Sequence, residues 1–237
     1  MEWIERTELL LGAAKLQKLS RAHVLVVGLG GVGAYAAEMI CRAGVGQLTI
    51  ADGDTIHPTN INRQLVALNS TVGLPKAEYM GKRLLDINPD IKLTVVPKYL
   101  RDDEMKDIIN QPYSYVVDAI DTLSPKIFLI RDALEYGHRL VSSMGSGGKL
   151  DPTMVSIADI SETHSCPLAR ILRKRLHRLG IRKGFKVVYS PEETPENATR
   201  PCVGEPNKKT TVGTISYMPA VFGCFIASVV IRDLLAD

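Results

Sequence analysis

Short uninterrupted apolar runs alternate along this chain with stretches whose apolar residues recur every three or four positions. The run at 24–27 is aliphatic or β-branched at every position, the pattern of a strand buried on both faces, and 48–51, 93–96, 115–117 and 140–143 read as further short strands. Helical spacing fills the intervals, over 32–43, 76–87, 103–109 and 126–136, and a further helix is predicted over 4–19 ahead of the first strand. Strands and helices in alternation predict a Rossmann-like α/β fold, a mostly parallel sheet with helices on both faces. Gly145 to Gly148 interrupts the alternation. Residues 154–158 then alternate apolar with small or polar side chains, which predicts an antiparallel or edge strand extending the sheet in the C-terminal half. Residues 190–213, rich in Pro, Glu, Thr, Asn and Lys, have no apolar period and read as a long mobile loop of a kind that often serves function. Residues 219–235 are apolar on nearly all sides, which suits a helix buried against the sheet.

The first strand runs without a spacer into Gly28-Leu-Gly30-Gly31-Val-Gly33. Gly28 permits a tight turn, Gly30 lets backbone N–H groups approach a phosphate, and Gly33 lets the following helix pack on the strand. The second strand delivers Asp52 to the carboxyl end of the sheet, where its side chain can accept hydrogen bonds from ribose hydroxyls. NAD-dependent dehydrogenases and ATP-dependent adenylating enzymes share these features. The block Asn60-Ile-Asn62-Arg63-Gln64 separates them, because a dinucleotide has no use for it whereas a triphosphate needs cations and amide donors around its terminal groups. Arg63 and Lys76 are the candidate cations. Asp121, just past the strand at 115–117, points into the crevice above the sheet and is suited to a magnesium ion on the phosphates. Its other reading is a cap on the helix beginning near Ser124.

At 237 residues, with 45% apolar and 23% charged, the chain is expected to be a single domain, with an ATP-binding half over 1–144 and a substrate-binding half over 145–237. The longest apolar stretch, 218–231, is too short to span a bilayer, and the acidic start lacks a signal-peptide pattern. A cytoplasmic protein with no membrane partner is expected. The cysteines, Cys41, Cys166, Cys202 and Cys224, are scattered singly, without the paired spacing of a zinc ribbon. Cys41 and Cys224 lie in apolar helices and are expected in the core, which leaves Cys202, in a polar loop, as the candidate functional thiol.

Formal net charge is only +3, but it is unevenly placed. Eight of the 29 basic residues, Arg170, Arg173, Lys174, Arg175, Arg178, Arg182, Lys183 and Lys186, lie between Cys166 and Lys186 with no Asp or Glu among them. The rest of the chain is therefore net negative. Leu168, Leu172, Leu176 and Leu179 make an apolar stripe on that helix, and the cations take the remaining surface. Such a patch is either a solvated face or the footprint of phosphate-backbone binding, and its place after the nucleotide half favours nucleic acid. A membrane-surface helix would want a broader apolar face carrying an aromatic residue, which this one lacks.

In chain order, Arg6-Thr-Glu-Leu-Leu-Leu-Gly12, the glycine turn, Asp52-Gly-Asp54, Asn60 to Gln64, Gly73-Leu-Pro-Lys76 and Val117-Asp-Ala-Ile-Asp121 make the chain resemble the E1-like superfamily. Those enzymes, ThiF and MoeB relatives among them, adenylate the carboxylate of a ubiquitin-like sulfur carrier or of another acid. Asn62-Arg-Gln-x-x-Ala-Leu68, Ala119-Ile-Asp121 with Ser124-Pro-Lys126, Gly145-Ser-Gly-Gly-Lys-Leu-Asp-Pro152 and the basic segment look most like the tRNA threonylcarbamoyladenosine dehydratases. The resemblance implies ATP-dependent cyclisation of threonylcarbamoyladenosine in tRNA, with loss of water, through an acyl-adenylate on the threonyl carboxylate. It implies ATP and Mg2+ as cofactors, with Gly28, Gly30, Gly31, Gly33, Asp52, Asp54, Asn60, Asn62 and Gln64 around the nucleotide. Arg63, Lys76 and Asp121 become catalytic, with Asp121 the magnesium ligand. Arg6 stands where relatives carry an arginine that reaches a partner subunit's ATP, which implies a homodimer. The tRNA would lie on Arg170, Arg173, Lys174, Arg175, Arg178, Arg182 and Lys183, and the resemblance allows a cysteine desulfurase or sulfur-acceptor system as a further partner. The alternative is adenylation of the C-terminal carboxylate of a sulfur carrier, against which the missing zinc pairs and the basic helix count. A non-catalytic RNA-binding or sulfur-relay adaptor is opposed by the intact Arg63, Lys76 and Asp121.

Overall fold

Strand β1 (His23–Val27) lies in the interior because its side chains feed two cores: Val24 and Val26 join one, Leu25 and Val27 the other. With side chains alternating between faces, a strand buried on both sides must be apolar throughout, and each such side chain contributes about 1.5–3 kcal/mol by leaving water. The computed structural model describes residues 2–100, 102–201 and 210–236. Around β1, strands β2 (Gln47–Ala51), β3 (Lys92–Val96), β4 (Tyr115–Asp118), β5 (Leu140–Ser143), β6 (Ser156–Asp159) and β7 (Lys186–Tyr189) form a seven-stranded sheet in the order β3-β2-β1-β4-β5-β7-β6. All pairs are parallel except β6–β7, so the antiparallel extension predicted for the C-terminal half is the sheet's edge.

The first core is covered by α2 (Ala13–Arg21), α3 (Gly33–Arg42), α4 (Lys76–Ile87) and α8 (Tyr217–Leu235). The second is covered by α5 (Asp102–Ile109), α6 (Leu123–Glu135) and α7 (Pro167–Arg178). Helix α8 is by length and composition apolar enough to cross a membrane, but Met218, Phe222, Ile226 and Val230 are fully buried in the first core. It approaches α3 closely: a Cβ on Gly223 would stand 2.7 Å from the Val32 carbonyl oxygen, and α3 offers the small Ala34, Ala36 and Ala37. Gly223 is thus a packing residue.

Four expectations need correction. The predicted helix over 4–19 is two helices, α1 (Glu5–Leu11) and α2, broken at Gly12, whose φ of 83° is the left-handed conformation glycine adopts freely. On α1, Leu9 and Leu10 are 80% and 83% exposed, so none of the described residues covers them. Within the expected mobile loop, β8 (Thr199–Pro201) pairs with β9 (Thr210–Val212) in a small hairpin. Its side chains are mostly exposed, so no apolar alternation announced it. Cys202 lies outside the described residues. Cys224 is exposed on α8, whereas Cys41 is buried, with its thiol on the Leu84 carbonyl and burial raising it to about 11. Helix α7 ends at Arg178, so Leu179 lies past the apolar stripe and is exposed, while Leu172 and Leu176 are buried.

Candidate active site

The order of the sheet reverses between β1 and β4, so the loops leaving their carboxyl ends diverge and open a crevice there. Gly28 leads out of β1 with φ 90°, and a Cβ on it would meet the Ala119 carbonyl oxygen at 2.7 Å. The two loops therefore touch backbone to backbone. Gly33 starts α3 directly against this turn, since a Cβ there would fall 1.8 Å from the Gly28 oxygen. At Gly31 the restriction comes from Pro219 of α8, 2.9 Å from such a Cβ. Gly30 differs: its nearest neighbour would be Gln64 Nε2 at 3.7 Å, so space above it is open to a ligand.

Asp52 extends from β2 toward this turn and accepts the Leu29 N–H at 2.6 Å and the Asp54 N–H at 2.8 Å. Burial raises its carboxyl, and these two donors together with Lys76 only partly oppose it. Asp52 thus braces the glycine turn, a role the sequence reading did not include, and each oxygen keeps a lone pair for a further donor. Lys76, at the start of α4, is buried and pairs with the Asp54 carboxylate. Burial would raise Asp54, but the hydrogen bond and charge of Lys76 hold it below the ordinary carboxylate value.

Asn60 is buried, and its Oδ1 accepts the His57 N–H at 3.1 Å, closing the turn that presents the next residues. Asn62 donates from Nδ2 to the Thr214 carbonyl at 2.9 Å, which ties this block to the segment after β9. Arg63 is half-buried and donates to the Thr59 carbonyl at 2.9 Å and to Asn62 Oδ1 at 2.8 Å. Gln64 is 8% exposed, and its Oε1 has no hydrogen-bond partner among the described residues. The amide nitrogen of Gln64 is the atom that faces the space over Gly30, while its buried oxygen is left for a group other than these residues to satisfy.

On the opposite wall, β4 ends in Asp118, and Asp121 follows in the loop. Asp121 is exposed and is not the cap of α6, whose N-cap is Thr122. Asp118 and Lys126, to which the motifs containing them assign no role, form a fully buried ion pair at 2.8 Å directly behind this loop. The signal was a lysine on an otherwise apolar helix face.

Arg170, Lys174, Arg175 and Arg178 are exposed on α7, and Arg182 and Lys183 are exposed just beyond it. Arg173 is set apart: it is half-buried and donates to the Thr163 carbonyl at 2.6 Å and to the Thr163 hydroxyl, anchoring α7. Helix α7 starts beside the crevice loops, with Leu168 Cβ 3.9 Å from the position of a Cβ on Gly145. Arg6, by contrast, sits at the other end of the sheet, because neighbouring Ile4 packs on Gly44 ahead of β2.

A glycine turn, a bracing acid and a half-buried arginine at a topological switch point define a nucleotide-binding α/β domain, and since a model of the ThiF family matches residues 5–237, the chain belongs to that family. It is 38% identical over 240 residues to the tRNA threonylcarbamoyladenosine dehydratase of Bacillus subtilis, covering 98% of this chain and 94% of that protein. The crystal structure of the Escherichia coli tRNA N6-threonylcarbamoyladenosine dehydratase in complex with ATP superposes with a TM-score of 0.90 at 36% identity, covering 99% of this chain and 94% of that one. The sulfur carrier protein ThiS adenylyltransferase of Escherichia coli is 34% identical over 136 residues, which is 56% of this chain and 54% of that protein.

Proposed function

We propose that this chain is an ATP-dependent tRNA threonylcarbamoyladenosine dehydratase. The observation that carries this is the extent of the likeness: the dehydratases match through the C-terminal half, basic helix included, where the carrier-protein adenylyltransferase covers little more than half the chain. The crevice also suits ATP by its own chemistry, with open space over Gly30 beside the Gln64 amide nitrogen and a nearby arginine. Residues 1–144 would hold ATP and residues 145–237 the modified tRNA.

In this mechanism backbone N–H groups of the glycine turn bind phosphate, and Asp52 accepts from the ribose while it braces the turn. The threonyl carboxylate attacks the α-phosphorus, and the bond to pyrophosphate breaks as the acyl-phosphate bond forms. Arg63 and Lys76, the latter already desolvated and aimed by Asp54, neutralise charge on the departing pyrophosphate. Asp121 would hold Mg2+, which when bound offsets phosphate charge. The tethered carbamoyl group then closes on the acyl carbon and expels AMP, so that one water is lost from the nucleoside and no enzyme thiol is needed. Exposed Leu9 and Leu10 next to Arg6 support a homodimer in which a second copy covers α1 and receives Arg6. A sulfur-acceptor partner rests on the resemblance: Cys41 and Cys166 are buried, and the thiol of Cys224, though that residue is exposed, is pushed up by partial burial.

Pyrophosphate release tests the proposal. It should be stimulated by tRNA carrying threonylcarbamoyladenosine and not by unmodified tRNA or by sulfur carrier proteins. Release with a carrier protein only would transfer the assignment to carrier adenylation.

A further inference from the structure

The Asp118–Lys126 pair has no part in the chemistry above, yet it is the most deeply buried pair of charges in the described structure, with both side chains at 0% exposure. Lys126 Nζ stands 2.8 Å from Asp118 Oδ2 and also donates to the Ile120 carbonyl at 3.0 Å. Asp118 Oδ1 accepts the Ile120 N–H at 3.1 Å, and its Oδ2 accepts the Ser142 hydroxyl at 2.6 Å. Both polar groups of the Ile120 backbone are therefore held by one ion pair. Ile120 lies between Ala119, whose N–H bonds to the Val27 carbonyl at 2.9 Å and whose oxygen abuts Gly28, and Asp121.

Stability is a poor account of such a pair, because well-packed apolar residues of similar size commonly stabilise a protein as well or better. Direction is what charges add. A hydrophobic pair could fill the same volume, but it could not hold an N–H and a C=O of one peptide segment in a fixed orientation. We propose that Asp118 and Lys126 are positioning residues, whose pair sets the 119–121 loop against Gly28 and thereby aims Asp121 at the phosphate end of the crevice. The inference rests on the ATP reading of that crevice.

The test compares the full chain with Lys126→Met, with the charge-free double variant Asp118→Asn/Lys126→Met, and with Asp121→Asn. Melting temperature, hydrogen exchange and calorimetric binding of a non-hydrolysable ATP analogue, with Mg2+ and with EDTA, are measured for each. The double variant should fold, its amides at 119–123 should exchange faster, and its affinity for the magnesium complex of the analogue should fall by about 10- to 100-fold, the range for removing a group that orients a metal ligand. A folded double variant with unchanged exchange and unchanged affinity overturns the proposal. So does failure of the double variant to fold, since the pair would then be a requirement of the whole domain. If Asp121→Asn binds the magnesium complex normally, the metal role of Asp121 falls, and the pair is judged on exchange and on metal-free affinity in its own variants. If the unaltered chain binds no analogue, the nucleotide reading fails, and exchange at 119–123 alone decides whether the pair holds the loop.

Discussion

On α7, Arg170, Lys174 and Arg178 fall at i, i+4 and i+8, all exposed, and make a row about 12 Å long. Arg173, one residue from Lys174 in sequence, has its guanidinium on Thr163. The triple variant Arg170→Gln/Lys174→Gln/Arg178→Gln and the single variant Arg173→Gln should therefore behave differently. If each of the three contacts one phosphate, the triple change lowers the slope of log affinity against log salt by roughly 2 to 2.7 units, at about 0.7–0.9 per contact. Over a fourfold rise in salt, the unaltered protein would then lose about 1.3–1.6 more log units of tRNA affinity than the variant. Arg173→Gln removes hydrogen bonds that anchor the helix, so it should cost on the order of 1 kcal/mol of stability, or roughly 2–4 °C in Tm, and leave the slope nearly unchanged. Filter binding at several salt concentrations, paired with thermal melting, measures both. An unchanged slope in a folded triple variant, or the full slope change from Arg173→Gln alone, would refute the assignment of this row to the tRNA backbone.

The remaining predictions concern the crevice. Gly30→Ala should fold and lose ATP affinity, because its Cβ meets only Gln64 at 3.7 Å, whereas Gly33→Ala should fail to fold stably, because its Cβ would lie 1.8 Å from the Gly28 oxygen; calorimetry and circular dichroism separate the two, and normal ATP binding by Gly30→Ala would contradict close phosphate approach. Arg63→Ala should reduce turnover about ten- to a thousandfold in ATP–pyrophosphate exchange, the effect of removing one electrostatic stabiliser, with little change in Tm. Asp54 sits below the ordinary carboxylate value of 3.8 because Lys76 outweighs its burial. A depressed folded value stabilises above the unfolded one, so the Asp54 contribution should be complete above about pH 5 and disappear as pH falls through its lowered folded value. Melting curves between about pH 2 and 7 should show a smaller acid-induced loss for Asp54→Asn than for the unaltered chain, and parallel curves would remove the pair from the acid response.

Strands were legible where burial on both faces forced an apolar run, as at 24–27, and α4 was legible to the residue because Pro75 stops the preceding chain and apolar positions recur from Lys76. The β8–β9 hairpin was not, since exposed strands carry no hydrophobic alternation. Within the site, residue types were readable but present partners were not. Asp52 carries the Leu29 N–H and Lys76 carries Asp54, contacts made by residues more than twenty positions apart in sequence. Arg173 looked like its neighbours because nothing local distinguishes a cation facing water from one facing Thr163, ten residues earlier. The Asp118–Lys126 pair was illegible for the opposite reason: each residue has a plausible local use, and only their joint burial shows that they serve each other.

Nucleoside mass spectrometry of tRNA carrying threonylcarbamoyladenosine, after incubation with this chain and ATP, is the most direct test of dehydratase function. The expected result is conversion of that nucleoside to a form lighter by one water, with AMP and pyrophosphate released in equal amount to product. An unchanged nucleoside, with ATP cleaved only when a sulfur carrier is present and the carrier's C-terminal carboxylate adenylated, would contradict it.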